Sequence, residues 1–551
     1  MESSPVQEKS IPDEKPHVSI SMQELIASSI KEKLETSAPR SRKKGGCSIH
    51  RVPEKFHKMI EPSVYKPEAI SIGPYHCKND SLQATQDLKL LYAHNLLTKT
   101  ANQKFKKEEE TTHTIKLDSS GKLVTAEGWS IILEECISSI EKMETIIRER
   151  YSEPIDLDRG REFVEMMVID GLFIIGFLAG PCQDKYIFDD LLYCNDWLSI
   201  AVRHDLLLLE NQIPWFVLKC LFNIILDAVL IDQPDPEGTS LEMLVIQFFK
   251  SSSFLYMLPT EKDLLKTHPD QCENAEHLLD FLFILHQNGK KDPAISSPSS
   301  WKILKILLKL KDNKVVKSTE PVYSSMKLFI QTLITKLQLL CRKFVRVFSV
   351  GPIDENKDSY SYNSRRMEFI PSATELSRAG VKFKKGSTKG SFLDVNFRRE
   401  EGILEIPPIY LCDGTETLFR NLIACEQLYK GSHVMSSYAT LMDCLINSPD
   451  DVKVLRKQEI ITSYLGCDED VADIFNKLSV EICNDNNYYA PYTIGINKYY
   501  KKRRHIWKAA LKREYFSNPW TIVSVLAAVL LIALTITSTV FGILSFLVPK
   551  S

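Results

Sequence analysis

Most of what would announce a chemistry is missing from this chain. Its twelve histidines contain no HExxH, and its thirteen cysteines, spread from Cys47 to Cys483, contain no CxxC pair. His277 and His286 lie nine residues apart, on opposite sides of any helix that holds both, and Cys272 near His277 makes only two candidate ligands. No metal or cofactor site is therefore expected. A net charge of −2, from 69 Lys plus Arg against 71 Asp plus Glu, provides no overall field toward nucleic acid. The N-terminus, "MESSPVQEKSIPDEKPH", mixes acids, lysines and prolines where a secretory signal needs an apolar core of about seven residues or more. The odd cysteine count and wide spacing suit reduced thiols facing the cytosol better than a disulfide framework.

Three near-matches to catalytic motifs fail on spacing or context. Gly380 and Gly386 enclose five residues where a phosphate loop needs four, and Ser387 stands where its lysine belongs. "GSTKG", 386–390, imitates a nucleophile elbow but lies between two short strands instead of between a strand and a helix. Ser324-x-x-Lys327 has an acylase spacing without the partner SDN or KTG motifs. No catalytic residue is assigned, and the chain is expected not to be an enzyme.

Charge is absent in one more place, and there its absence is informative. From Tyr515 to Pro549 no residue is charged, and Trp520 to Val548 exceeds the roughly 20 helical residues that cross a hydrocarbon core about 30 Å thick. Thr535, Thr537, Ser538 and Thr539 are compatible with this, since hydroxyls bond back to the preceding turn. Just before it stands a basic collar: Lys498, Lys501, Lys502, Arg503, Arg504, Lys508, Lys512 and Arg513. Only Lys550 follows. The positive-inside rule places the large N-terminal region in the cytosol, and attraction of the collar to anionic lipid makes membrane lipid the first expected partner. The plasma membrane is favoured over endomembranes.

Upstream the text divides by composition. Residues 1–46 form a polar, mostly disordered leader with one amphipathic stretch, "SMQELIASSIKEKLE". From 47 to 348 helical periods dominate, as in "WSIILEECISSIEKMETIIRERY". "REFVEMMVIDGLFIIGFLAG" is apolar nearly all round, but its run is short and broken by Asp170, which predicts a core helix rather than a second span. Pro214 suits the first turn of a new helix. Residues 349–370 read as a linker or surface loop, and 371–497 as a small sheet plus helices of the same domain. There, Ser372 with Glu375 is a capping box and Gly380 a left-handed stop. Strands are expected at "VKFKK", "FLDVNF" and "GILEIPPIY", with helices resuming near Glu416 after a cap at Asp413 or Thr415 and running to the membrane. The collar, 498–519, and the span, 520–548, complete a mainly α-helical fold with a small antiparallel sheet near 381–410.

Two polar features stand out within apolar text. "VYKPEAISIGPYH", 64–76, reads as an extended segment with Ile70 and Ile72 alternating as in a short strand, turned at Gly73-Pro74 so that Tyr75 and His76 reach back to the body. Glu210, Asn211 and Gln212 form a polar island in "HDLLLLENQIPWFVL"; buried polar groups must be paired, and the 64–76 segment is the expected partner. His204-Asp205 reads as a turn and helix start, with Asp205 near the positive end of the dipole.

Ten blocks, among them "IHRVPEKF", "YKPEAISIGPYH", "MMVIDGLFII", "HDLLLLENQIPWFVL", "PSATELSRAGVKFKK" and "NPWTIVSVLAAVLL", resemble in order the successive blocks of the plant family catalogued as domain of unknown function 247, covering about 47–548. Cys77 departs from that pattern, which often has a basic or small residue after the histidine. The resemblance implies a plant membrane protein with one C-terminal span and no established activity; some members are associated with self-incompatibility. The expected function is a single-pass, membrane-anchored recognition or scaffolding protein with unidentified protein partners and no nucleic acid. Two alternatives stay open. One is an enzyme with a non-local site drawing on residues such as His76, Glu210 and Glu426; the other is an extracellular-facing receptor component.

Overall fold

The computed structural model describes residues 26–32, 46–59, 62–112, 128–157, 161–180, 192, 195–230, 240–251, 274–288, 368–387, 391–430, 433–483, 487–502, 506–507, 509–511, 514 and 518–547. Arg503, Arg504, Lys508, Lys512, Arg513 and Val548 lie outside the described residues. So do Cys272, Ser324, Lys327, residues 388–390, most of the leader and nearly all of the 349–370 loop.

In chain order the first part holds α1 (Glu54–Met59), α2 (Gln86–Thr112), α3 (Gly128–Glu141), α4 (Glu144–Arg148), α5 (Arg161–Ala179), α6 (Asp196–Asp205), α7 (Trp215–Leu230), α8 (Leu241–Ser251) and α9 (Leu278–Asn288). The second part holds α10 (Ala373–Arg378), β1 (Lys382–Lys385), β2 (Asn396–Arg398), β3 (Ile403–Ile406), β4 (Ile409–Leu411) and α11 (Thr415–Cys425). It continues with α12 (Val434–Leu445), α13 (Pro449–Arg456), β5 (Ile461–Ser463), α14 (Asp468–Leu478), α15 (Ala490–Tyr500) and α16 (Pro519–Leu547).

The all-round apolar text of α5 becomes the centre of the helical part. Phe163, Met167, Phe173 and Phe177 are fully buried, Tyr92 of α2 meets Phe173 edge-on at 5.4 Å, and Phe177 meets Phe248 of α8 at 5.0 Å. α5 is therefore the core helix that Asp170 foretold. Pro214 directly precedes α7, where its carbonyl accepts from Val217 and its missing N–H leaves no helical bond unmade.

The small sheet corrects the expected all-antiparallel arrangement. β2 and β3 pair antiparallel across the 399–402 turn, but β1 lies on the other side of β3 and runs parallel to it, Phe383 opposite Leu404. β1 and β2 therefore flank β3 on opposite sides. The middle strand is also shorter than expected. Ser391 turns the chain, its Oγ accepting from Leu393 N–H at 3.1 Å, and pairing begins only at Asn396. Pro407 and Pro408 end β3, and β4 leaves to pair in parallel with β5, a strand where continuous helix is expected from the sequence. α10 has the expected start and stop: Ser372 Oγ accepts from Glu375 N–H, and Gly380 at φ +95° lets Val381 N–H reach back to Leu376. α11 starts at Gly414 without a side-chain cap, and Thr415 Oγ1 instead accepts from Cys412 N–H.

One buried apolar cluster runs from Ile49 to Tyr499 through both parts. They are joined at Asn421 of α11, whose Oδ1 accepts from Leu209 N–H at 2.9 Å and whose Nδ2 donates to Val64 O at 2.7 Å. All the described cysteines are free thiols. Pro519–Gly542 within α16 is long and apolar enough to cross a membrane and is not buried against the body. Its Thr535, Thr537 and Thr539 hydroxyls bond back to carbonyls four residues earlier, and Trp520 at its start is exposed.

Candidate functional site

The 64–76 segment carries the least regular backbone in the core, and its hydrogen bonds explain how it is held. Ile70 and Ile72 are buried as alternation predicts, but the segment joins no strand ladder. Side chains from three helical neighbourhoods take its N–H groups instead. Asp205 accepts from Glu68 at 3.1 Å and from Ala69 and Ile70 at 2.7 Å; Asn211 Oδ1 accepts from Ile72 at 2.6 Å; Asp170 accepts from Gly73 at 2.8 Å. On the carbonyl side, Asn211 Nδ2 donates to Ile70, and the buried Lys89 ammonium donates both to Ser71 and, at 2.6 Å, to Asp170.

Gly73 is required by this geometry twice over. Its φ of +71° favours glycine, and a Cβ there would stand 2.6 Å from the Gln212 carbonyl oxygen and 3.1 Å from the Tyr151 hydroxyl. The turn then sends Tyr75 back to Ile49 O at 3.1 Å. His76 reaches Glu210, its Nε2 lying 3.1 Å from Oε2, while His57 Nε2 lies 2.9 Å from Oε1 and Val52 N–H donates to the same oxygen at 2.8 Å.

Glu210, Asn211 and Gln212 thus do what their polar-island pattern predicts. Gln212 completes the set, donating to Leu206 O and Leu208 O and accepting from Leu279 N–H. His204-Asp205 is different: it ends α6 instead of starting a helix, and the Asp205 carboxylate serves the distant 68–70 backbone. It is not paired with His204 as a base and its carboxylate would be.

The electrostatics follow from burial and donors. Burial raises the Asp205 carboxyl to about 7 against the pull of its three backbone donors, and raises Asp170 against the pull of Lys89. Burial also acts on Glu210, but the bonds from His76, Val52 and His57 outweigh it and hold this carboxyl below its ordinary range.

A carboxylate-held imidazole is half of a general-base arrangement; here Nε2 of each ring faces Glu210, which leaves Nδ1 as the other nitrogen, and His57 Nδ1 is buried without a hydrogen-bond partner. The space beside Asn211 and Gln212, bounded by Ile72 and Leu206, is too small for a water molecule. Glu426, the third residue of the non-local enzyme alternative, is committed to another task. Its carboxylate accepts from Val434, Met435 and Ser436 N–H groups at the start of α12, and from the Ser436 hydroxyl. Among the described residues no group of three or more His, Cys, Asp or Glu is placed to hold a metal ion.

An open concavity lies elsewhere. An apolar groove of about 670 Å³ runs between α2, α3 and α5, lined by Leu90, Leu97, Trp129, Leu133, Ile137 and Leu172, with His94, Glu141, Arg161 and Glu165 as its polar contributors. Leu90 and Ile137 are 50% and 38% exposed, unusual for large aliphatics on a packed helical face. Sequence reading singled out neither, because the groove draws on three helices remote from one another in the chain. Of the collar residues, Lys501 and Lys502 follow the last turn of α15, in which Lys498 lies.

The fold and this site define a mainly helical domain, with an interior polar clamp, a surface groove and an apolar C-terminal helix. The model of the DUF247 family, plant proteins of unknown function, matches residues 49–534, and the chain belongs to that family. UPF0481 protein At3g47200 of Arabidopsis thaliana is 27% identical over 514 residues, covering 92% of this chain and 88% of that protein. Putative UPF0481 protein At3g02645, also of Arabidopsis thaliana, is 26% identical over 516 residues, 88% of each chain. No solved structure matches.

Proposed function

We propose that this chain is a single-pass, membrane-anchored recognition or scaffolding protein, its N-terminal domain cytosolic and its α2–α3–α5 groove the surface that partners use. The observation that carries this reading is a contrast in polarity. Asp170, Asp205 and Glu210 are spent on the protein's own backbone, and His57 and His76 on Glu210, whereas the groove between α2, α3 and α5 is open and mostly apolar. Apolar grooves rimmed by a few charges suit protein segments, and α16 with the basic collar supplies an anchor. A role in cell-surface signalling such as self-incompatibility is compatible with this arrangement.

Two experiments test it. In sealed microsomes, added protease should remove the large domain and spare only the C-terminal helix; full protection would overturn the cytosolic placement. Proximity labelling from the anchored protein should return reproducible neighbours that an Ile137→Glu variant loses. An unchanged set of neighbours would remove the groove from the recognition surface.

A further inference from the structure

The α3 side of the groove is a single ridge. Trp129, Leu133, Ile137 and Glu141 follow one another at intervals of four residues, along about 18 Å of helix. The leader contains a matching ridge: Met22, Ile26, Ile30 and Leu34 repeat at the same interval over the same length. Residues 26–32 are helical, and Ile26 and Ile30 are 52% and 51% exposed. The apolar part of the groove ridge, Trp129, Leu133 and Ile137, shares the four-residue spacing of Met22, Ile26, Ile30 and Leu34, and Glu141 closes it with a charge; this spacing suits helix-in-groove packing.

The tether brings them together. The leader joins the body where Ser48 and Ile49 N–H groups donate to Arg150 O at 2.9 and 3.0 Å. Arg150 lies just beyond α4, and α4 begins three residues after Glu141 closes α3. The leader is therefore attached beside one end of the groove, and residues 35–47 reach up to about 40 Å when extended.

We infer that the groove is a helix-binding site whose first occupant is the chain's own leader, residues 22–34, laid into it in cis. The inference rests on the groove being a recognition surface and adds what a partner must displace. A short amphipathic helix binds weakly as a free peptide, but a tether of this length holds it at an effective concentration near millimolar. Partner binding and leader release are then one equilibrium, and a partner's apolar helix competes for the same ridge.

The test uses the full-length chain in detergent with a photo-crosslinking amino acid at position 30. Irradiation should yield intramolecular crosslinks to Leu90, Leu133 or Ile137, mapped by peptide mass. Ile26→Asp, which cannot unfold the body, and Ile137→Glu should each reduce them to background. Crosslinks to another face, crosslinks only between two copies at doubled mass, or none at all would overturn cis occupancy. Proximity labelling separates this from the recognition reading. Ile26→Asp should increase partner labelling by uncovering the groove; crosslinks that fail while Ile137→Glu still abolishes labelling sink the leader alone. If crosslinks form but labelling ignores Ile137→Glu, it is the recognition reading that fails.

Discussion

The two parts of the domain spend their buried carboxylates differently. In the helical part, Asp170 and Asp205 accept N–H groups of the 68–73 backbone 97 to 137 residues away in sequence and Glu210 that of Val52, 158 away, while Asp280 accepts from Glu276 only four residues before it. In the second part, Glu426 serves the first turn of α12 only eight to ten residues on, and Asp451 accepts from the Ser448 hydroxyl three residues before it. A near-neighbour carboxylate starts a helix; a far one decides which pieces of chain are adjacent. The exception marks the boundary: Asp451 also accepts from Thr374 N–H, 77 residues away, and so ties α13 to α10.

That contrast can be broken, beginning where the effect is largest. Lys89→Met should destabilise the chain by about 3–5 kcal/mol in urea unfolding, because it leaves the Asp170 carboxylate buried beside only the Gly73 donor. A loss below about 1 kcal/mol would mean that the long-range clamp adds no more than a helix cap. Glu426→Ala should cost about 3 kcal/mol by orphaning three N–H groups, and its signature is local. Hydrogen exchange should accelerate at Val434–Ser436 while the 68–73 amides stay protected; faster exchange at both places would erase the distinction.

His286 of α9 sharpens it with pH. The ring is fully buried against Phe392 at 4.8 Å, and burial lowers its pKa from 6.5 to about 4. The unfolded chain therefore binds the extra proton between those values. The stability that His286 contributes is whole above about pH 6.5 and is lost as pH falls toward 4, by on the order of 1 kcal/mol per pH unit, a slope that Asp205, raised to about 7, opposes. His286→Phe should flatten that slope in thermal unfolding across the same window; an unchanged slope would assign the acid sensitivity to other groups. The smallest effect belongs to a purely local device, Ser372→Ala at the start of α10, expected to cost about 1 kcal/mol.

Local devices were also the ones legible in the chain. Ser372, Gly380 and Pro214 stand at helix boundaries because caps and stops depend on residues within one turn. Glu210-Asn211-Gln212 was legible for another reason: three polar residues inside an apolar run demand partners, which the turn-rich segment 64–76 supplies to Glu210 and Asn211 and which Gln212 finds at Leu206, Leu208 and Leu279. Asp205 was not, because a carboxylate at a helix end looks the same whether it serves its own helix or a strange backbone. Neither was β1's parallel direction nor β5, since strand pairing is chosen by what lies alongside.

By itself, the amino-acid order determined the helical character, the family, the unburied apolar helix at the C-terminus and the need to pair the polar island. Each depends on composition or spacing within a few turns. Tertiary structure alone decided that Asp170 and Asp205 hold the 64–76 segment and that Leu90 and Ile137 flank an open groove. These outcomes require residues distant in the chain to meet, and such meetings are settled by packing a whole core, in which no local period records the partner.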